Sequence, residues 1–360
     1  MIQMTNKNTN KKTAVILFNI GGPDEIKSVK PFLFNLFNDP AIVDMPKGLR
    51  FIFAKIISGR RALKAVGIYN KIGGKSPLLD LTNEQAKALE RKLQRNKDSD
   101  YKVFVSMRYW HPMSDTVVKN VKNYSPDHII LLPLYPQFSS ATTGSSFDDW
   151  EKSAKNIDLD VPTTKICCYP ADLSFITAHA KLIKDAYWKA SENGKPRVLF
   201  SAHGLPEKVI EKGDPYQWQV EKTVSVIAQV LAIESMDYVI CYQSKVGMLK
   251  WIGPSTDSEI KRAAKDKLPI LVVPVSFVSE HSETLVELDI EYRHLAEKQG
   301  AIGYVRVPTL GVEPFFIEAL ADLCLKADKE EKLCSFSNNH FCPRPFEKCP
   351  YAVQEKERAA

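Results

Sequence analysis

A histidine, His203, directly follows an apolar run in the stretch LFSAHGLPEKVIEKGDPY, residues 199–216. A second apolar run, PILVVPVSF, leads in the same way into VSEHSETLVELDIEY, which contains His281 and Glu283. Two imidazoles and a carboxylate at neighbouring strand ends can bind a divalent metal ion or transfer protons near neutral pH. A lone histidine on a turn is more often structural, but this combination favours a functional site.

Three glutamates, Glu283, Glu287 and Glu291, recur every four residues after His281 and predict one acidic face of a helix. Like charges at this spacing destabilise an isolated helix by about 0.2–0.5 kcal/mol per pair. A solvated acidic face is the alternative interpretation. Beside two histidines, the glutamates indicate a hydrated path for a hard cation or for protons. Oxygen ligands with imidazole suit Fe²⁺, Mn²⁺ or Zn²⁺ better than a soft thiolate site does.

Polar and aromatic side chains also cluster after other predicted strands. The stretch SMRYWHP contains Arg108 and Tyr109, and YPQFSSATTGSS contains Tyr135 and Ser139. A third stretch, CYQSKVGMLKWIGPST, begins at Cys241. Each stretch alone could be an ordinary turn. Together they predict a wide pocket with aromatic walls and a few fixed cations, suited to a flat anionic ligand.

The elements that position these residues are short apolar runs alternating with longer helical patterns. The runs are TAVILFNI, KVFVSMRY, HIILLPLY, RVLFSA, YVICYQ and PILVVPVSF. Such runs are typical of parallel sheets covered by helices on both sides. The openings AVILFNIGGPD and RVLFSAHGLPE resemble each other, each reading as strand, Gly-x-Pro turn and helix.

We therefore predict an α/β fold with two similar Rossmann-like, doubly wound, mostly parallel domains and a cleft between them. The expected first domain is 12–165, the second is 166–325, and a Cys-rich C-terminal extension covers 326–360. Open parallel sheets bind ligands outside the carboxyl ends of their strands, so two facing sheets place the stretches above around one cleft.

Composition limits the classes of protein further. The 360 residues are 44% hydrophobic and 26% charged, which is typical of a soluble globular protein. The net charge of +6 does not require nucleic acid, and an acidic membrane surface or an anionic ligand fits equally well. The start, MIQMTNKNTNKKT, lacks an apolar signal core. We expect a cytoplasmic protein with reduced thiols.

Four of the seven cysteines, Cys324, Cys334, Cys342 and Cys349, lie in the last 40 residues. In a reducing compartment such a cluster suggests a metal more than disulfides.

The motifs resemble those of one family, the ferrochelatases. The matching stretches are LFNIGGPD, YNKIGGKSPL, MRYWHP, LLPLYPQFSSATTGSS, LFSAHGLPEKVIEKGDPY, CYQSKVG with KWIGPST, and VSEHSETLVELDIEY. They occur in this order over residues 14–292, about three-quarters of the chain. The series SAHGLP, QSKVG and HSETL is highly specific.

The resemblance implies a chelatase-like fold and an enzyme that inserts Fe²⁺ into protoporphyrin IX, with release of two protons. It implies that His203 is the catalytic histidine, as acceptor of pyrrole protons or as metal ligand, facing Glu283 with His281 nearby. Glu287 and Glu291 match acids that conduct metal or protons. The resemblance also implies pocket roles, for Arg108 and Tyr109 at the porphyrin and the iron approach, and for Tyr135 and Ser139 elsewhere in the pocket.

Some ferrochelatases hold a [2Fe–2S] cluster with three C-terminal cysteines and one upstream, in the loop after the YPQ motif. By this resemblance Cys334, Cys342 and Cys349 supply three of the four thiolates that such a cluster needs. The upstream position is Ser140, which leaves Cys324 as the nearest candidate in sequence, although its apolar helical context favours plain burial. Zinc and a metal-free tail are the alternatives.

The segment 31–69 combines bulky apolar residues with six Lys and Arg between residues 47 and 64. Core helices with solvated charges explain part of it. An apolar lip with a basic rim, resting on anionic lipid, is the functional interpretation, so we expect peripheral membrane contact.

Parts of the sequence are also compatible with other functions. A chelatase acting on coproporphyrin III would bind a similar flat ring with propionates. A two-lobed tetrapyrrole- or metal-binding protein without catalysis would use the same lobes, but it has no need of a histidine opposite an acidic column. A metallohydrolase usually shows a tighter motif such as HExxH, which is absent from the sequence. The oligomeric state is not indicated.

Overall fold

The structure is a computed structural model that describes residues 11–96, 99–247, 249–337 and 339–359. Nine strands lie within these ranges. They are β1 (Lys11–Asn19), β2 (Ser99–Met107), β3 (His128–Pro133), β4 (Thr163–Ile166), β5 (Arg197–His203), β6 (Tyr238–Gln243), β7 (Ile270–Pro274), β8 (Tyr304–Arg306) and β9 (Leu333–Cys334).

The described residues also form twelve α-helices and two π-helical segments. The helices are α1 (Val29–Phe37), α2 (Lys47–Asn70), α3 (Leu78–Leu93), α4 (Ser114–Tyr124), α5 (Ser145–Lys155), α6 (Leu173–Ala190), α7 (Glu207–Glu211), α8 (Tyr216–Leu231), α9 (Thr256–Lys265), α10 (Arg293–Lys298), α11 (Pro314–Ala327) and α12 (Pro350–Ala359). The π segments are Ser140–Gly144 and Glu283–Tyr292. None of the described helices combines the length and the apolar character needed to cross a membrane.

The strands form two sheets with the same internal order. The first sheet runs β2-β1-β3-β4-β9 and the second runs β6-β5-β7-β8, and every pairing is parallel. In each sheet the earliest strand lies between the second and the third, and the fourth follows the third. The predicted pair of similar Rossmann-like sheets is confirmed, and the resemblance between the two sequence openings reflects this repeated order.

Helices cover both faces of each sheet, as the continuous apolar runs require. In β1, Val15 and Leu17 belong to one buried cluster, whereas Ala14, Ile16 and Phe18 belong to another on the opposite face. This alternation follows from the two-residue period of a strand. The larger cluster extends into the second sheet, where it includes strand residues of β5 and β7, so the two sheets share one apolar core.

Polar caps begin the helices that pack on this core. Asp172 precedes α6 and accepts a hydrogen bond from the backbone N–H of Phe175 at 3.0 Å. Glu313 precedes α11 and accepts from the N–H of Phe315 at 2.7 Å, while its other oxygen pairs with Lys181 at 2.9 Å. Such caps satisfy N–H groups that lack a partner within the helix.

The C-terminal extension is part of the first sheet. Its strand β9 pairs with β4, with Ile166 opposite Cys334. Farther along, the N–H of Lys348 donates to the carbonyl of Gly213 at 3.1 Å, just before α8. The extension therefore contacts both halves of the chain, and the domain boundaries near residues 165 and 325 stay predictions.

Candidate active site

His203 is the last residue of β5, and its backbone is held on both sides. Its carbonyl accepts a hydrogen bond from the Tyr216 hydroxyl at 3.0 Å, and the next N–H, of Gly204, donates to the carbonyl of Gln243 at 2.9 Å. A Cβ on Gly204 would lie 3.0 Å from both that carbonyl oxygen and the Trp251 ring. Glycine is therefore needed for the close approach of these groups, which fixes the position of the imidazole.

The imidazole of His203 contacts Glu283, which comes after the neighbouring strand β7. Its Nδ1 lies 2.8 Å from Glu283 Oε2, and the two side chains are 37% and 30% exposed. Burial by itself lowers the pKa of His203, but the charge and hydrogen bond of Glu283 outweigh it, so the pKa is raised. Burial likewise opposes ionisation of Glu283, but His203 holds the pKa of that carboxyl well below its usual range.

A second carboxylate, Glu287, is linked to the first through β6. The Ser244 hydroxyl lies 3.2 Å from Glu283 Oε2 and 2.5 Å from Glu287 Oε2, and Gln243 Nε2 donates to Glu287 at 3.0 Å. Burial and the neighbouring charge of Glu283 raise the pKa of Glu287. Adjacent carboxyls whose pKa values are displaced in opposite directions are suited to hold and pass a proton.

Both glutamates lie on the π segment Glu283–Tyr292, not on the predicted α-helix. Its hydrogen bonds join residues i and i+5 and widen each turn, and such segments are frequent at functional sites. Glu291 lies at the exposed end of this segment and pairs with Lys71, the residue after α2, at 3.3 Å. The acidic residues therefore extend from the surface to His203.

His281 joins the same group. Its Nδ1 lies 3.1 Å from the carbonyl oxygen of Ser279, and its ring contacts Phe277 with centroids 4.7 Å apart. It is also near enough to Glu283 to favour the ionised form of that carboxylate. The predicted constellation of His203, His281 and Glu283 is thus assembled in the structure.

Arg108 and Tyr109 form a separate group after β2, centred on Asp39. Arg108 Nη2 and the Tyr109 hydroxyl lie 2.7 Å and 2.8 Å from Asp39 Oδ2, and Arg108 Nε donates to Ser145 at 2.7 Å. Tyr109 is buried, and burial together with Asp39 raises its pKa. Burial raises the pKa of the Tyr135 phenol, and the nearby charge of Arg108 opposes that rise. Arg108, Tyr109 and Tyr135, all predicted pocket residues, are therefore neighbours.

Ser139 lies in a different place, at the contact between the loop after β3 and the residues before α8. Its hydroxyl donates to Asp214 Oδ2 at 3.1 Å, and the N–H and hydroxyl of Ser140 donate to the same oxygen at 2.7 Å and 2.8 Å. Ser139 is buried in these hydrogen bonds. Its assignment to a porphyrin pocket stays a prediction.

The four predicted cluster cysteines are buried but do not form one group. Cys324 lies within the main apolar core on α11, and Cys334 belongs to the same core beside Ile166. Cys342 and Cys349 lie in a separate small cluster with Trp218 and Phe346 around them. Among the described residues, no three His, Cys, Asp or Glu side chains surround a position for a single metal ion.

Several other residues of the site were not predicted from the sequence. Asp39 organises the Arg108 group, and Tyr69 of α2 lies near Ser282 and Glu283. Gln243 and Ser244 lie in the QSKVG motif, whose position after a strand was the available signal. A cavity of about 1010 Å³ lies between α5 and α12, but its lining contains no residue of the His203 group.

Comparison with known proteins identifies the family of this chain. A sequence model described as ferrochelatase matches residues 12–328. The chain belongs to the ferrochelatase family. Curated ferrochelatases include one from Pelagibacter ubique, 52% identical over 346 residues, which cover 94% of this chain and 98% of that protein. Another, from Wolbachia sp. subsp. Drosophila simulans, is 54% identical over 314 residues, which cover 87% and 99%.

Family membership confirms the predicted metal-insertion enzyme and leaves no support for a binding protein without catalysis. A ferrochelatase from Rickettsia conorii is 49% identical over 94% of the chain and 98% of its own length. The family match ends at residue 328, so Cys334, Cys342 and Cys349 lie beyond it.

Solved chelatase structures support the fold. The structure of SirB from Bacillus subtilis with Fe3+ aligns with a TM-score of 0.52 at 14% identity, over 88% of this chain and 95% of that one. The sirohydrochlorin chelatase SirB from Bacillus subtilis subspecies spizizenii, in complex with cobalt, aligns with a TM-score of 0.51 at 13% identity, over 88% and 96%. The predicted chelatase-like fold is confirmed.

Proposed function

We propose that this enzyme inserts Fe²⁺ into protoporphyrin IX, releasing two protons and forming protohaem, the last step of haem synthesis. The observation that carries the proposal is the His203–Glu283 hydrogen bond of 2.8 Å at the carboxyl ends of β5 and β7. Insertion replaces two pyrrole N–H protons by the metal, so the site needs a base that is partly neutral near physiological pH. Imidazole meets that requirement.

In this mechanism His203 accepts the two pyrrole protons one after the other, passing on the first before it takes the second, and the ionised Glu283 stabilises the imidazolium each time. A raised His203 pKa makes the imidazole a stronger base than free histidine, which favours proton capture. Glu287 and Glu291 then carry protons toward solvent or Fe²⁺ toward the ring. The displaced pKa of Glu287 and the exposure of Glu291 support a path that runs from the inside outward.

Binding of the flat ring supplies the remaining requirement, distortion of one pyrrole out of plane. Strain of this kind draws about 1–5 kcal/mol from binding elsewhere on the substrate. We propose that Arg108, Tyr109, Tyr135 and Ser139 line or support the porphyrin pocket. Arg108 is paired with Asp39 and Asp149, so like the buried Tyr109 and Ser139 it acts by holding the loops of the pocket in place.

We further propose that the Cys-rich extension binds a [2Fe–2S] centre. The extension contains three buried thiols, those of Cys334, Cys342 and Cys349, and such a centre takes four thiolates. The centre would supply a redox-active group beside α8. No step of metal insertion is assigned to it.

Peripheral contact with the inner face of an anionic membrane, from the cytoplasm, is proposed for the lip formed by α1 and α2. Of the 24 residues of α2, only Ala54, Ser58 and Tyr69 are buried. Leu49, Phe51, Ile52, Ile56 and Leu63 are exposed large apolar residues on this helix. The helix carries six Lys or Arg and no acidic residue, which suits a surface rich in anionic headgroups.

Substitution of His203 by alanine tests the proposed reaction. Purified protein is mixed anaerobically with Fe²⁺ and protoporphyrin IX, and the metalloporphyrin spectrum is followed. We expect His203→Ala to lower kcat at least about 100-fold, as removal of a proton-transferring group does. The matched control is His294→Ala, which removes an exposed imidazole of α10 and is expected to keep normal turnover.

The fold of each variant is checked by circular dichroism and thermal unfolding. A folded His203→Ala variant with near-normal turnover would contradict the role of His203. Faster metallation of coproporphyrin III than of protoporphyrin IX by the wild-type enzyme would contradict the proposed substrate while leaving the metal-insertion activity intact.

A further inference from the structure

Two cysteines outside the predicted cluster set lie against the C-terminal extension. Cys167 and Cys168 follow β4 directly, and both are buried. The N–H of Cys167 donates to the carbonyl of Cys334 at 2.9 Å, so the extension lies alongside them. Five of the seven cysteines are thus brought to one region by contacts between residues about 170 positions apart in sequence.

The thiols of this region form two pairs. The Sγ atoms of Cys167 and Cys168 lie 3.4 Å apart, and the thiols of Cys342 and Cys349 are close enough for each to shift the pKa of the other. One amide joins the pairs, because Gln219 Nε2 donates to Cys168 Sγ at 3.5 Å and to Cys342 Sγ at 3.1 Å. All four thiols are buried.

Cys334 packs in the main apolar core, where burial and, to a smaller extent, nearby groups that include Cys168 raise the pKa of its thiol. It pairs with Ile166 across β4 and β9, and side chains at paired positions of parallel strands share a face. Both belong to the main apolar core, whereas Cys167, the next residue after Ile166, packs with Phe138 on the opposite face. Cys324 belongs to the main core as well.

We propose that Cys167, Cys168, Cys342 and Cys349 are the four ligands of a [2Fe–2S] centre in this chain. Each iron of such a centre takes two thiolates, so two contacting pairs fit it better than they fit one tetrahedral ion. The inference rests on the proposed [2Fe–2S] centre and not on the metal-insertion reaction.

The surroundings suit a cluster in two further respects. Trp218 packs with Phe341 and Phe346, at centroid distances of 5.1 Å and 5.9 Å, and provides an apolar cover. The Gln219 amide donates to the sulfurs of Cys168 and Cys342. Hydrogen bonds to cluster sulfurs are a main determinant of the reduction potential.

Gln219 also connects this region to the loop after β3. Its Oε1 accepts the N–H of Phe138 at 2.7 Å, next to the serines that bind Asp214. Ser140, the position of the upstream cysteine in cluster-bearing relatives by resemblance, is therefore engaged with Asp214 through its own hydroxyl. In the proposed centre, Cys167 and Cys168, which follow β4, take the role of the cysteine that is absent at position 140.

The test uses the full chain purified anaerobically. Iron, acid-labile sulfide and zinc are measured per chain, together with visible absorption and the EPR spectrum after reduction. We expect two irons and two sulfides per wild-type chain. The variants Cys167→Ser, Cys168→Ser, Cys342→Ser and Cys349→Ser should each lose the iron or change the EPR spectrum. Matched controls are Cys334→Ser, Cys324→Ser and Cys241→Ser, which should keep both.

A second kind of variant leaves all four cysteines in place, so its effect cannot come from loss of a ligand. Gln219→Leu removes two N–H···S hydrogen bonds, so the reduction potential should fall while iron and sulfide stay bound. An unchanged potential contradicts the proposed surroundings of the cluster.

The remaining outcomes separate the proposals. Retained iron and an unchanged spectrum in Cys167→Ser or Cys168→Ser, or loss in Cys334→Ser or Cys324→Ser, overturns the ligand assignment. Wild-type protein that contains zinc alone, or no metal, overturns the cluster itself and with it the assignment. Metal insertion by the same wild-type sample is assayed in parallel, so failure of either cluster proposal is distinct from failure of the proposed reaction.

Discussion

At the scale of single residues, the site depends on the opposite charges of two side chains in contact. Glu283 and His203 share one hydrogen bond, and each favours the charged form of the other. Burial acts against both charges, so the pair is stable only because the partners are in contact. A base arranged in this way can take a pyrrole proton and hold it as part of an ion pair.

The pH dependence of metal insertion should report this pair. His203 must be neutral to accept a proton, so the acid limb of the profile of kcat/KM against pH follows its pKa. Glu283 raises that pKa, and Glu283→Gln removes the negative charge responsible. We therefore expect the acid limb to move to lower pH in Glu283→Gln, with a lower plateau because the imidazolium has lost its partner.

Glu291→Gln is the matched control for that measurement. It removes a carboxylate of the same π segment that pairs with Lys71 and does not contact His203. Its acid limb should coincide with that of the wild-type enzyme. An acid limb that stays in place in Glu283→Gln would contradict the electrostatic role assigned to Glu283.

At the scale of elements, the sequence predicts the strands better than it predicts the helix that carries the acids. Each of the six longer strands contains an apolar run, so their carboxyl ends and the residues after them can be located. The strands β4, β8 and β9 have only four, three and two residues, too few for a pattern. The Glu spacing is compatible with both α and π geometry, so the π segment could not be anticipated.

The contacts of the C-terminal extension also could not be predicted from the sequence. Spacing alone favours Cys324 as the partner of the C-terminal cysteines, because it is nearest along the chain. The structure instead places Cys167 and Cys168 beside them through the pairing of β4 with β9. Residues so far apart in sequence become neighbours only through the sheet order, which no local pattern records.

A glycine before α8 should determine how well the extension docks. Gly213 has φ +85°, and a Cβ there would lie 2.9 Å from the backbone nitrogen of Glu347. Gly213→Ala therefore adds a steric clash with the extension to the cost of a left-handed alanine, about 1–2 kcal/mol. We expect lower stability together with faster proteolysis within residues 339–359, measured by urea unfolding and by timed digestion.

Gly300→Ala is the control, because Gly300 has φ +75° and meets only the end of the Lys267 side chain at 3.8 Å. It should show a similar loss of stability from the backbone but normal resistance of the extension to protease. Equal digestion rates in the two variants would mean that Gly213 does not position the extension.

At the scale of the whole molecule, the two sheets repeat one order and share one core, and α1 and α2 extend over the first sheet's side of the site. Tyr69 and Lys71, at the end of α2, reach the start and the end of the π segment. At the start of α2, Arg50 donates to the carbonyl of Asn38 at 2.9 Å, next to the Asp39 that binds Arg108, so both ends of this helix border the residues that would receive a porphyrin. A surface that rests on lipid at this place would admit an apolar substrate directly.

Binding to vesicles tests that arrangement. We expect the protein to sediment with vesicles that contain phosphatidylglycerol at low salt, and less with pure phosphatidylcholine or at high salt, where the basic residues of α2 are screened. The double variant Phe51→Ser/Ile52→Ser removes two side chains that are 50% and 57% exposed. Partial burial of two such groups in lipid is worth about 1 kcal/mol each, so binding should weaken about tenfold or more.

Leu173→Ser is the control for this experiment. Leu173 is 70% exposed at the start of α6, so its replacement removes exposed apolar surface from an element other than α2. Its vesicle binding should equal that of the wild-type protein, and both variants should keep their solution rate of metal insertion with detergent-dispersed porphyrin. Equal weakening in both variants would indicate nonspecific adsorption, and undiminished binding by the α2 variant would assign membrane contact to another surface.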